Sequence, residues 1–178
     1  MSPSACTPPI LESSAKIWVD VNDAAVPKPM RTSRINIAQV MQPEHANLLG
    51  HVHGGWIMKL VDEAGALSCM RHAHRRVVTV AIDSMVFHNP IKIGDLVLLS
   101  AEVTYTGRTS MEAEVQVQAE NPMTGERTHT NTAYLVYVAL DDQGKPTPVP
   151  PIQAETQDEK RKLEAAQRRQ ARRLADKQ

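Results

Sequence analysis

At 178 residues the chain is long enough for one well-filled core and short for two. Twenty basic residues balance twenty acidic ones, so the broad basic field that nucleic acid or an anionic membrane would require is missing. No run approaches the roughly twenty apolar residues that cross a bilayer, and the beginning of the chain lacks a basic stretch leading into an apolar one, so a cytoplasmic protein with no membrane insertion is expected.

Residues 1–32 read as a flexible arm. Pro3, Pro8, Pro9, Pro27 and Pro29 discourage regular structure there, apart from a short element at Ile17–Val21. Arg34–Val40 has strand character, with Ile35 and Ile37 on one side, and a polar loop follows from Met41 to His53. From Gly54 to about His72 the chain predicts a helix, whose run Ala64-Gly65-Ala66 suits close packing on a sheet. Strands are then expected over Val77–Phe87, Leu96–Thr106, Met111–Glu120 and His129–Leu140, with turns at Asn89–Gly94 and Asn121–Gly125. Met111, Ala113, Val115, Val117 and Ala119 alternate with Glu112, Glu114, Gln116, Gln118 and Glu120, which predicts one buried face and one wet face.

One long helix among five strands has nothing but the sheet to pack on. The expected fold class is α+β, a five-stranded antiparallel sheet wrapped around the helix, over residues 33–152. Four prolines between Gly144 and Pro151 close that unit, and residues 153–178 read as a charged C-terminal helical tail. Its apolar positions Leu163, Ala166, Ala171 and Leu174 make a thin stripe suited to a solvated helix lying on a neighbour. Eight basic and five acidic residues in this tail are too mixed for a nucleic-acid-binding arm. Cys6 and Cys69 lie in the arm and in the helix, so a disulfide framework is not expected and a reducing compartment fits.

Chemistry concentrates at the helix start. Gly54 and Gly55 strip side-chain bulk from the first turn, so its free N–H groups can approach a ligand oxygen, forming a candidate oxyanion hole. Asp62, two turns further on, is a carboxylate on a mostly apolar helix; the plain alternative is a surface residue paired with Lys59. Asn47 taken alone would be a turn or cap residue. His51, His53, His72 and His74 raise the question of a metal, but a full ligand set is missing and no cysteine is suitably placed, so no metal site is expected.

Asn47-Leu-Leu-Gly50, His53-Gly-Gly-Trp56, Asp62, Val78-Thr-Val-Ala81, Phe87-His-Asn-Pro-Ile-Lys-Ile-Gly-Asp95 and Gly107-Arg-Thr-Ser110 together resemble the hotdog-fold acyl-CoA thioesterases. Six pieces in the family's order cover about residues 33–152, and the branch they most resemble holds bacterial broad-specificity enzymes and the cytosolic acyl-CoA hydrolase. The resemblance implies the hotdog fold, acyl-CoA as substrate with no cofactor, and a homo-oligomer of hotdog dimers, a trimer of dimers in its commonest form. It also implies that Asp62 acts as general base or nucleophile together with Asn47 of the facing subunit. The Gly55 N–H, aided by the helix dipole, would then meet the oxyanion.

His53, Thr79, Ser84, Thr109 and Ser110 are candidates to line or support that site, although sheet hydroxyls are usually structural. Arg108, within a recognised motif, is the first choice for the phosphates of coenzyme A, with Arg71, Arg75, Arg76 and Lys92 as further candidates. Two other readings stand beside hydrolysis: a hydratase or dehydratase of acyl thioesters that recruits His51 and His53, and a non-catalytic acyl-CoA sensor.

Overall fold

The structure is a computed structural model and describes residues 26–176; Cys6 and the Ile17–Val21 segment lie outside the described residues. Its elements in chain order are β1 (Lys28–Pro29), β2 (Ile35–Val40), α1 (Gly54–Ala73), β3 (Arg76–Met85), β4 (Leu96–Thr106), β5 (Ser110–Glu120), β6 (Arg127–Leu140), β7 (Ile152–Gln153) and α2 (Gln157–Ala175). The five long strands form one antiparallel sheet in the order β2-β4-β5-β6-β3, which is the hotdog arrangement around α1. The chain leaves β3 two residues before the expected end at Phe87, and β6 starts two residues before His129. Val86 and Phe87 thereby pass to the loop that borders the site.

Period-two burial along the strands meets period-3.6 burial along the helix. Ile57, Leu60, Val61 and Ala64 of α1 pack on Val97, Leu99, Val103, Met111, Val115 and Leu135 of the sheet's inner face. Residues 28–33, placed in the arm by their prolines, are part of this body: β1 pairs with β7 and Met30 is fully buried. β3 is an edge strand, and Val78, Val80 and Ile82 along it are exposed. A long apolar strand edge with unpaired backbone groups is a pairing surface.

The alternation in β5 predicts a wet outer face; Gln116, Gln118 and Glu120 are half-exposed there, but the part at Glu112 and Glu114 is covered. Glu112 is 0 % exposed and Glu114 6 %. α2 lies over them and meets them with cations: Arg169 and Arg173 reach Glu112, while Lys162 bridges Glu114 and Glu102. Glu102 and Glu114 stand directly opposite each other on β4 and β5, a repulsive pair until Lys162 neutralises it. The apolar stripe contributes little, since Ala166 is buried whereas Ala171 and Leu174 are exposed. The docking face is therefore the row Glu159, Lys162, Ala166, Arg169 and Arg173, at helical spacing.

Thr156 caps α2 and Glu159 closes the capping box, its carboxylate accepting from the N–H groups of Glu155 at 2.8 Å and Thr156 at 3.1 Å. Burial alone would push the Glu159 carboxyl up, but these two donors and the Arg34 guanidinium outweigh it and hold the carboxyl below its ordinary value. A carboxyl that is more acidic in the folded chain stabilises the fold above its unfolded pKa, and that contribution is lost as the pH falls toward the folded value. Glu159→Gln is expected to flatten the acid side of the stability profile, read as urea midpoints between about pH 5 and pH 3. An unchanged acid slope would show that Glu159 does not anchor α2.

Candidate active site

The loop before α1 is held by its own side chains. Asn47 Oδ1 accepts from the N–H groups of Leu49 at 2.8 Å and His51 at 3.2 Å, and Gly50 takes a left-handed turn at φ +77°. The amide nitrogen of Asn47, by contrast, has no partner among the described residues, so the side chain is held by its oxygen and keeps a free N–H donor. His53 caps α1, its Nδ1 accepting the Gly55 N–H at 2.9 Å. This engages the donor that the sequence assigns to the oxyanion, whereas the Gly54 N–H has no partner among the described residues. A Cβ on Gly55 would sit 3.0 Å from His53 Nδ1, so a larger residue there would make the capping imidazole shift. His45 stacks on Trp56 at 4.0 Å and fixes the loop against the helix.

Asn47, His51, Gly54, Ile57, Phe87 and Pro90 are among the residues around a pocket of about 360 Å³ at the N-terminal end of α1. Asp62 does not line it, and among the described residues no hydrogen bond joins Asp62, held by Thr79 and Tyr137, to Asn47, held by its own loop.

Asp62 faces the sheet and not Lys59, which pairs with Glu63 at 2.7 Å. Asp62 Oδ1 accepts from Thr79 Oγ1 at 2.6 Å and from the Tyr137 hydroxyl at 3.2 Å. The same phenol lies 3.0 Å from the Asp62 carbonyl oxygen. Strand register explains the convergence: Thr79 on β3 and Tyr137 on β6 are direct cross-strand partners, so both hydroxyls stand side by side under the helix. Oδ2 has no partner among the described residues. One carboxylate oxygen is thus anchored by two donors and the other is open.

Tyr137 was not singled out by its sequence, being one of several large residues in an alternating strand. The signal lay in the helix. A Cβ on Gly65 would come within 2.4 Å of the Tyr137 oxygen, so the glycine in Ala64-Gly65-Ala66 marks where that phenol lands. Burial first, and then the charge of Asp62, push the Tyr137 phenol far above its ordinary pKa, so it stays a donor.

The remaining candidates separate. Ser84 pairs with Tyr134, whose ring carries the Arg169 guanidinium at 3.6 Å, so Ser84 belongs to the α2 side of the sheet and not to the site. The Gly107–Ser110 turn is tied to the strap before β7, with the Val149 N–H on the Arg108 carbonyl at 3.0 Å, and neither Thr109 nor Ser110 bonds to Asp62. Arg71 donates to the Arg34 carbonyl and Arg76 to the Asp141 carbonyl, whereas the exposed side chains of Arg108 and Lys92 have no partner among the described residues. The histidines do not converge: His72 is buried with Nε2 2.8 Å from the Pro150 oxygen, His53 caps the helix, and among the described residues no group of three or more His, Cys, Asp or Glu could hold a metal ion.

Residues 49–126 match the thioesterase superfamily model. The acyl-CoA thioester hydrolase YkhA of Bacillus subtilis, described as uncharacterized, is 40 % identical over 132 residues, which cover 74 % of this chain and 73 % of that one. The chain belongs to the hotdog-fold acyl-CoA thioesterases. The cytosolic acyl coenzyme A thioester hydrolase of Rattus norvegicus is 36 % identical over 140 residues, but the match spans only 37 % of that longer protein and 78 % of this hotdog chain. An apo-hexameric acyl-CoA thioesterase superposes with a TM-score of 0.82 at 41 % identity, covering 85 % of this chain and 97 % of that one. The Staphylococcus aureus acyl-CoA hydrolase, solved with butyryl coenzyme A and coenzyme A, superposes at 0.79 with 36 % identity, covering 84 % and 92 %. Three variants of that hydrolase have an asparagine, an aspartate or a threonine replaced by alanine, at positions with the same mutual spacing as Asn47, Asp62 and Thr79.

Proposed function

We propose that the protein hydrolyses acyl-CoA thioesters to the free acid and coenzyme A, in the cytoplasm and without a cofactor, at sites shared between two copies of the chain. The carrying observation is the half-buried Asp62 carboxylate, with Oδ1 anchored by Thr79 and Tyr137 and Oδ2 left open. From that position Asp62 either removes a proton from water at the thioester carbon or attacks that carbon itself. The developing oxyanion would be met by Asn47 Nδ2 of the facing copy and by the α1 N-terminus. The Gly54 N–H is open to it, and the Gly55 N–H becomes so once His53 releases its cap. Arg108 and Lys92, exposed and unpartnered, suit the coenzyme A phosphates.

Sharing between copies is supported by the placement of Asn47, but not Asp62, around the pocket of one chain and by the exposed apolar edge of β3. The similarity to a hexameric thioesterase supports three such dimers as the assembly. Free-thiol release from acyl-CoA substrates of graded length tests the hydrolysis. Binding without release would favour a sensor, and loss of enoyl absorbance from crotonyl-CoA a hydratase. Mixing Asn47→Ala with Asp62→Ala chains tests the sharing: each parent should be inactive, and each mixed dimer should regain one intact site. No recovery after verified subunit exchange would place both residues in one subunit's site.

A further inference from the structure

We propose that Tyr137 is a positioning residue for the Asp62 carboxylate, and that Gly65 is the position that lets it reach. The inference rests on the reading of Asp62 as the catalytic carboxylate. Asp62 is carried by a helix and Thr79 by an edge strand, so a single hydroxyl on Oδ1 would leave the carboxylate free to rotate about its last bond. Tyr137 comes from β6, inside the sheet, and its ring is fully buried. Its hydroxyl touches both Oδ1 and the carbonyl oxygen of the same residue, so it ties the Asp62 side chain to the helix backbone and to the sheet at once. With Oδ1 held from two sides, Oδ2 is the oxygen that faces water or substrate.

Such a close approach needs a gap in the helix surface. A methyl group at position 65 would stand 2.4 Å from the phenol oxygen and 3.0 Å from the ring carbon that bears it, well inside contact distance. Glycine inside a helix costs stability relative to alanine, so its presence opposite the phenol calls for a packing reason, which this contact supplies.

The test uses the full chain and steady-state hydrolysis of one acyl-CoA substrate. Tyr137→Phe keeps the ring and removes the donor; kcat is expected to fall about tenfold while KM stays within about twofold, because the lost hydrogen bond acts on the carboxylate and not on the ligand. Gly65→Ala keeps the donor and pushes it away, and should lower kcat to a similar degree. The double variant should be no slower than the worse single one, since both disrupt one contact. Should Tyr137→Phe fail to fold, Gly65→Ala reads the same contact on its own. In an Asp62→Asn background Tyr137→Phe should leave the residual rate unchanged.

Wild-type kcat in Tyr137→Phe alongside an inactive Asp62→Asn would overturn the positioning role and leave the catalytic reading of Asp62 intact. An active Asp62→Asn would instead remove that reading. A raised KM with unchanged kcat, or additive losses in the double variant, would make Tyr137 a binding or packing residue and likewise overturn the proposal.

Discussion

Asp62→Asn and Asp62→Ala should each lower turnover by more than about a hundredfold, with kcat and kcat/KM falling together. Asparagine preserves the shape of the side chain and can still accept at its oxygen from Thr79 and Tyr137, which lie 2.6 and 3.2 Å from Oδ1. What it cannot do is take a proton from water or attack a carbonyl. Alanine removes the acceptor as well and leaves both hydroxyls without that partner. If the carboxylate's chemistry is what matters, the two variants should be almost equally slow, although only alanine disturbs the local hydrogen bonds. The fold and coenzyme A binding should persist in both, because Asp62 is half-buried at the surface of α1 while the helix is held by Ile57, Leu60, Val61 and Ala64. Near wild-type turnover in either variant would mean that Asp62 is not the catalytic carboxylate.

Glu112→Ala is expected to cost about 3–5 kcal/mol of stability, the usual penalty for stripping one partner from a buried ion pair. Glu112 is fully buried, with Oε1 2.7 Å from Arg169 Nη2 and Oε2 2.8 Å from Arg173 Nη1, and Thr104 Oγ1 donates to it at 3.1 Å. Without the carboxylate, two guanidiniums would share a mostly buried space in which Asp83, 3.2 Å from Arg173, is itself shared with Arg172. Urea midpoints at fixed protein concentration should show the loss, and α2 should become the first segment to exchange its amide hydrogens. Below the melting transition the hydrolytic rate should stay unchanged, because Glu112 lies on the face of the sheet opposite Asp62. A penalty under about 1 kcal/mol would place this contact with exposed surface pairs, and α2 would then owe its position to something else.

Much of the fold was legible because it follows from local period. Apolar residues alternating in β5 and recurring along α1 predicted the elements within a residue or two, and one helix among five strands left a single way to bury both. The motif around His53-Gly-Gly-Trp56 also pointed to the helix N-terminus, where the structure places an unpartnered N–H and a pocket. That the Gly55 N–H is taken up by His53 Nδ1 was not legible, because it depends on how the preceding histidine turns, which a row of residues does not express.

The sequence by itself determined the element order, the inner face of the sheet and the isolation of Asp62 on a mostly apolar helix, since each is written in spacing along the chain. Only the tertiary structure decided what Asp62 touches. Thr79 and Tyr137 become neighbours through strand register, with Tyr137 admitted by the absence of a side chain at Gly65. It also covered the Glu112 and Glu114 end of the expected wet face. A row of glutamates reads as solvated until a distant cationic helix is laid upon it, and the pairing of Arg169, Arg173 and Lys162 with Glu112 and Glu114 is a long-range match of charge with no local signature.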